Sequence, residues 1–100
     1  MDRLAEFEAY RQKMNDRIAD VEHLGIRRFL NLDTACYRDG ALDAKTKELL
    51  GLVASMVLRC NDCIDYHIIQ CIDAGWHDEE IYDAINVALI VGGSLSLIHI

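Results

Sequence analysis

A chain of 100 residues with a formal net charge of −7 and a pI near 4.8 has room for one small domain. Binding to nucleic acid or to acidic membrane lipids is not expected, because phosphate binding needs clustered Lys and Arg and the only adjacent basic pair is Arg27 and Arg28. With the six Gly counted in place of the four Tyr, the hydrophobic fraction rises from 52% to 54%, above the usual range of about 45–50%. This excess predicts that subunits bury surface against each other as a homo-oligomer.

The fold class is predicted from the spacing of the apolar residues, which recur at steps of three and four in a chain without proline. We expect an all-α subunit of about five helices, forming a single domain over residues 1–100. The first turn is charged and has no apolar run behind it, which is not typical of a secretory signal, so a cytoplasmic protein is expected. Four cysteines in that reducing compartment indicate transient, catalytic disulfides rather than a structural framework.

Two helices are predicted before residue 40. The apolar stripe of the first is Leu4, Phe7, Tyr10, Met14, Ile18 and Val21. A break is expected near Gly25, followed by a second helix from about Ile26 to Tyr37. That helix should end before Gly40, a residue suited to the left-handed conformation of a helix C-cap.

Two further helices are predicted in the middle of the chain. Asp43 is a good N-cap for a helix that runs through Leu58. The polar stretch 60–62 then allows a new helix to start, since Asn and Asp readily accept hydrogen bonds from the free N–H groups there. This helix is predicted to end at Gly75.

A last helix is predicted to be capped by Asp78 and to run from Glu79 into an apolar segment. Gly92 and Gly93 within it indicate a break or a close backbone contact. The run Ala84–Ile98 carries no charge, but it is too short for a membrane span and contains polar residues and glycines. A buried or interface helix is therefore expected, with no membrane partner.

The strongest chemical motif is Cys60-x-x-Cys63, because two cysteines one helical turn apart lie within disulfide range. At a helix N-terminus the free N–H groups stabilise a thiolate, the attacking species in peroxide reduction and disulfide exchange. His67 follows Cys63 by four residues on the same helix face and can take or return a thiol proton. Glu48, on the preceding helix, could orient the imidazole or act as the primary base.

A zinc site is the main alternative, since Cys60, Cys63, His67 and Cys71 are all possible ligands. Over the rise of one helix, however, Cys60 and Cys71 are separated by roughly 16 Å, too far to share one metal. No metal or other cofactor is therefore predicted. Cys71 and Cys36 are interpreted as buried, small apolar side chains, and His23, His77 and His99 have no partner pattern.

From about Gly40 to Ile98 the sequence resembles the alkylhydroperoxidase D-like branch of the carboxymuconolactone decarboxylase family. The resemblance rests on four segments: residues 40–50 (GALDAKTKELL), 60–67 (CNDCIDYH), Ala74-Gly75 with Asp78-Glu79-Glu80-Ile81, and 91–94 (VGGS). A Glu twelve positions before Cys-x-x-Cys-x3-His is far more specific than any of its parts.

The resemblance implies a small helical subunit that assembles into trimers or hexamers. It implies that Cys63 attacks a hydroperoxide, that Cys60 resolves the sulfenic acid into a disulfide, and that Glu48 and His67 relay protons. Peroxidase members carry His immediately before the second cysteine, whereas this chain carries Asp62, so its relay is incomplete or differently built.

The leading hypothesis is a thiol-dependent peroxidase that reduces hydroperoxides and is recycled by an unidentified dithiol reductant. One alternative is a carboxymuconolactone-type decarboxylase, but that branch lacks Cys-x-x-Cys. The other is a non-catalytic thiol or metal-binding module whose role is assembly.

Overall fold

The computed structural model of the chain describes the backbone of residues 2–98 and the side chains of residues 2–93. Within these residues the fold is all-α with no strand, which confirms the predicted class. The five helices are α1 (Arg3–Ala19), α2 (Leu24–Cys36), α3 (Ala44–Val57), α4 (Asn61–Asp73) and α5 (Asp78–Ile98). They fall into two compact units, Met1–Cys36 and Tyr37–Ile100. The assignment of residues 1–100 to one domain stays a prediction.

The first unit contains α1 and α2, and a side chain starts each helix. Asp2 caps α1 by accepting the N–H of Ala5 at 2.7 Å. The break predicted near Gly25 lies at residues 20–23, and Gly25 itself lies inside α2. The Nδ1 atom of His23 accepts the N–H of Ile26 at 3.3 Å, and this contact lets α2 begin before the glycine.

The turn between α2 and α3 differs from the prediction, since Gly40 does not adopt the left-handed conformation. The helix ends earlier, and side chains of the second unit close the turn instead. Asp39 Oδ1 accepts the N–H of Ala44 at 2.7 Å. The ammonium group of Lys47 donates to the carbonyl of Arg38 at 2.7 Å. These contacts satisfy a carbonyl of the turn and the first N–H group of α3, and they hold the turn without a glycine cap.

The N-terminus of α3 is capped as predicted, by Asp43. Its carboxylate accepts the N–H of Thr46 at 2.7 Å. Hydrogen bonds from the Thr46 side chain and backbone hold the pKa of Asp43 below its usual value. Because the folded-state pKa is lowered, the capping contribution is present at neutral pH and is lost as the pH falls through that pKa.

The last two helix boundaries give mixed outcomes. α4 ends before Gly75 as predicted, and the φ of +96° at Gly75 is the left-handed conformation that glycine adopts at helix C-termini. α5 begins at Asp78 itself rather than after it, and it continues through Gly92 and Gly93, so the predicted break is wrong. A Cβ atom added at either glycine would meet none of the described atoms within 4 Å, so the described part of the chain makes no close backbone contact there.

The core of the second unit lies where α3 packs against α4 and α5. Its centre is Leu52, Cys71 and Ile81, one residue from each helix. The indole N–H of Trp76 donates to the carbonyl of Lys45 at 2.8 Å and ties the α4–α5 turn to the start of α3. This packing fixes the α3–α4 pair that carries the predicted site residues.

No helix in the described part of the chain is long and apolar enough to cross a membrane.

Candidate active site

A disulfide joins Cys60 to Cys63 at the start of α4, with the two Cα atoms 5.2 Å apart. This separation lies within the range of about 4.4–6.8 Å that disulfides span, as the motif predicted. Both residues are partly exposed. The bond can therefore form or open with little backbone movement and within reach of a small reactant.

The dithiol lies in a tight junction between α3 and α4. The N–H of Arg59 donates to the carbonyl of Met56, and the N–H of Cys60 donates to the carbonyl of Ser55, each at 3.1 Å. This is the Schellman pattern, which places its left-handed residue at Arg59, with φ +59°. For a residue with a Cβ atom that conformation costs roughly 1–2 kcal/mol. The strained residue turns the chain so that Cys60 completes the C-terminal capping motif of α3 and is itself the N-cap of α4.

The cap of α4 is sulfur rather than the predicted Asn or Asp oxygen. Cys60 Sγ accepts the N–H of Cys63 at 3.3 Å. Asn61 and Asp62 lie within the first turn instead, because the junction above fixes Cys60 at the capping position. A sulfur that already accepts a backbone N–H is in a favourable place to carry negative charge after the disulfide is reduced.

His67 and Glu48 are brought together as predicted, one from α4 and one from α3. Imidazole Nδ1 lies 2.9 Å from Glu48 Oε2, and the two side chains are only 10% and 14% exposed. A carboxylate in this position orients the ring and stabilises an imidazolium when one forms. Because His67 lies on the helix that begins with the dithiol and Glu48 lies on the helix before it, the arrangement can serve proton transfer to and from a thiol.

Tyr37 is a neighbour of the site that was not predicted. Its hydroxyl oxygen lies 3.4 Å from His67 Nε2, and the two rings are 5.5 Å apart with a 37° tilt. Tyr66 packs on another side of the same imidazole, edge to face at 5.2 Å. No sequence motif indicates Tyr37. It lies in the irregular turn after α2, where no helical periodicity predicts the direction of a side chain.

Gly51 provides the space for this arrangement. A Cβ atom there would lie 2.6 Å from His67 Cε1 and 2.8 Å from the Tyr37 hydroxyl. Glycine in a helix interior costs roughly 0.5–1 kcal/mol relative to alanine. A glycine in the interior of α3 is the sequence signal that could have indicated a close approach of other side chains to the helix backbone at position 51.

The other cysteines have different surroundings. Cys71 is fully buried, and burial, with a smaller contribution from Glu48, raises the pKa of its thiol to about 11. This fits the predicted role as a small core side chain. Cys36 is exposed rather than buried, so that part of the prediction is wrong; α2 contributes no buried side chain.

The remaining histidines and the metal alternative can be placed in the same way. His23 caps α2, His77 is exposed, and His99 lies outside the described residues. Among the described residues no three His, Cys, Asp or Glu side chains come together in a group able to hold a metal ion. Both ring nitrogens of His67 face protein partners, Glu48 and Tyr37.

The sequence profile of the carboxymuconolactone decarboxylase family matches residues 26–99, about three quarters of the chain. The chain belongs to the carboxymuconolactone decarboxylase family. The match includes all four predicted site residues, although it does not itself assign their roles.

Three relatives give this membership more detail. Two crystal structures show a carboxymuconolactone decarboxylase family protein from Thermotoga maritima whose sequence is 51% identical to this chain. Their TM-scores against this chain are 0.82 and 0.85. They match 94% of this chain and 80% and 82% of theirs, and an involvement of that protein in antioxidative response has been suggested. A Legionella pneumophila family member is 27% identical, with a TM-score of 0.64, over 96% of this chain and 79% of its own.

A Paracoccus denitrificans protein, named uncharacterized protein 4 in cox locus, is 34% identical over 71% of this chain. The chain spans 64% of the length of that relative.

This carboxymuconolactone decarboxylase family member has an acidic residue between its two thiols. Asp62 lies in the first turn of α4 and is exposed. A carboxylate there favours the helix through the macrodipole but repels a thiolate at the neighbouring Cys63. Solvent screens this repulsion, so it opposes the N-terminal stabilisation without cancelling it.

Proposed function

We propose that this chain is a thiol-dependent peroxidase of the cytoplasm, which reduces hydroperoxides with the Cys60–Cys63 dithiol. The observation that carries the proposal is a disulfide at the N-terminus of the helix that also carries His67, whose imidazole is paired with the largely buried Glu48 of the preceding helix. The suggested antioxidative role of the Thermotoga maritima relative points to the same chemistry.

In the proposed reaction the Cys63 thiolate attacks the terminal oxygen of the hydroperoxide. The O–O bond breaks, Cys63 becomes a sulfenic acid, and the leaving alkoxide takes a proton from the His67–Glu48 pair to give an alcohol. The Cys60 thiol then attacks the sulfenic sulfur, forming the disulfide and releasing water. An external dithiol reductant returns both cysteines to thiols by exchange and is itself oxidised to a disulfide.

A thiol count with and without one equivalent of hydroperoxide tests the proposal directly. The reduced chain has four thiols, and we expect two to be lost, with Cys60 and Cys63 recovered as one disulfide. Cleavage before Asp62 separates the two cysteines, so mass spectrometry would find two short peptides held together only by that bond. Four thiols remaining in a folded, reduced protein after peroxide treatment would overturn the proposal.

We further propose that the protein is a homo-oligomer, with three or six subunits. The support is exposed apolar surface on α5, where Val87, Leu89 and Ile90 are 54%, 67% and 62% exposed. In the first unit, Phe29 is 68% exposed and neither α1 nor α2 has a buried side chain. Burying exposed apolar surface of this extent against a partner subunit is favourable and stabilises an assembly.

Sedimentation equilibrium at micromolar concentration should give a mass of three or six times 11.4 kDa. Leu89→Asp should shift the protein towards monomer, because a charge at a covered apolar contact is costly. The same charge should leave the helical circular dichroism intact, since Leu89 is already largely exposed in one subunit. A monomeric unmodified protein would contradict the assembly without affecting the dithiol chemistry.

A further inference from the structure

His67 contacts a different partner through each of its two ring nitrogens. Nδ1 lies 2.9 Å from Glu48 Oε2, and Nε2 lies 3.4 Å from the hydroxyl oxygen of Tyr37. A carboxylate can only accept hydrogen bonds, so it selects the tautomer with the proton on Nδ1. In that tautomer Nε2 is an acceptor, and the Tyr37 hydroxyl donates to it.

We infer that Tyr37 is a positioning residue for the thiol chemistry, one that holds the imidazole of His67 in place by donating to its unprotonated Nε2. The catalytic part of this inference rests on the proposed function, whereas the contact itself does not. Glu48 sets the tautomer from one side of the ring, and Tyr37 orients the basic nitrogen from the other.

Gly51 is the second observation that supports this role. Its missing side chain leaves room for the imidazole and the phenol together, since an added Cβ atom would lie 2.6 Å from His67 Cε1 and 2.8 Å from the Tyr37 hydroxyl. Real Cβ atoms do not approach neighbours this closely, so any other residue at position 51 must move one of the rings. The helix backbone is therefore built to allow the Tyr37–His67 contact.

A hydroxyl suits this position because it can either donate or accept a hydrogen bond. It donates to Nε2 of the neutral imidazole, and it can accept from the Nε2–H group once His67 becomes an imidazolium paired with Glu48. Phenylalanine would keep the ring in place but would leave Nε2 without this hydrogen-bond partner in both protonation states.

The test uses the reduced protein and two readouts that do not need peroxide. The first is the nitrogen resonance of His67 Nε2, assigned by its loss in His67→Gln. The second is the rate at which iodoacetamide alkylates the reduced dithiol, which follows the thiolate population. Tyr37→Phe should move the Nε2 resonance towards that of an acceptor without a donor and slow alkylation about two- to tenfold, the worth of one neutral hydrogen bond.

Two control variants separate this role from general effects of substitution. Tyr82→Phe removes a hydroxyl from an exposed tyrosine of α5 and should leave both readouts unchanged. Gly51→Ala should move the His67 resonances and slow alkylation at least as much as Tyr37→Phe. Gly92→Ala should change neither, because an added Cβ atom there meets none of the described atoms within 4 Å. Thermal unfolding shows whether each variant is folded. If Gly51→Ala does not fold, Tyr37→Phe alone decides whether Tyr37 positions His67.

The outcomes separate this inference from the proposed function. An unchanged Nε2 resonance in Tyr37→Phe overturns the contact, and a moved resonance with unchanged alkylation overturns the role. If the unmodified protein does not consume peroxide, the proposed function fails, yet both readouts still decide the part played by Tyr37.

Discussion

Replacing Cys63 with Ser is expected to abolish peroxide consumption, whereas replacing Cys60 with Ser should still allow one reaction per subunit. In Cys60→Ser the attack leaves Cys63 as a sulfenic acid that no thiol resolves, and a dimedone-type probe should trap it. Each variant keeps a side chain of similar size at the junction between α3 and α4. Both variants should therefore fold, which far-ultraviolet circular dichroism can check.

Two physical effects compete over which thiol attacks first. The helix N-terminus favours Cys60, whose sulfur accepts the N–H of Cys63 at 3.3 Å. An exposed interaction with the helix dipole is worth roughly 0.3–1 kcal/mol, which is about two- to fivefold in a rate. His67 favours Cys63, which lies four residues before it on α4, and general base catalysis contributes about 10²–10⁴-fold. The larger effect decides for Cys63.

The measurement is peroxide consumption over the first turnover, followed by mass spectrometry of the dimedone adduct. Cys71→Ala is the matched control, because its buried thiol has a raised pKa and should not take part. If Cys63→Ser retains the first reaction and Cys60→Ser loses it, the capping interaction outweighs the base and the two roles are exchanged.

The helices and the central pairing of the site were predictable because both depend on regular spacing. The pairing of Glu48 with His67 follows from two adjacent helices and one motif, and Asp43 and Gly75 mark helix ends by their chemistry. Tyr37 was missed because it lies in an irregular turn, where side-chain direction depends on packing. The break predicted at Gly92 was wrong, because the sequence alone does not distinguish a glycine tolerated inside a helix from one that ends it.

Replacing His67 with Ala should lower the rate of the first reaction with peroxide by about 10²-fold or more, the usual contribution of a positioned base. The disulfide should still form under a strong oxidant, because Cys60 and Cys63 keep their 5.2 Å Cα separation at the start of α4. This combination distinguishes loss of proton transfer from loss of the dithiol.

A folding defect could imitate this result, since removing the imidazole leaves the Glu48 carboxylate without the partner that it contacts at 2.9 Å in a region of low exposure. Glu48→Gln is therefore the companion variant: it keeps the side-chain volume and removes the charge that stabilises an imidazolium. We expect it to slow the first reaction by about tenfold, the effect of losing one charge-assisted hydrogen bond. His77→Ala, at an exposed position, should leave the rate unchanged.

Stopped-flow consumption of peroxide by each reduced variant gives the rates, and thermal unfolding shows which variants remain native. A folded His67→Ala that reacts as fast as the unmodified protein would remove the His67–Glu48 pair from the mechanism and leave the helix N-terminus as the source of thiol reactivity.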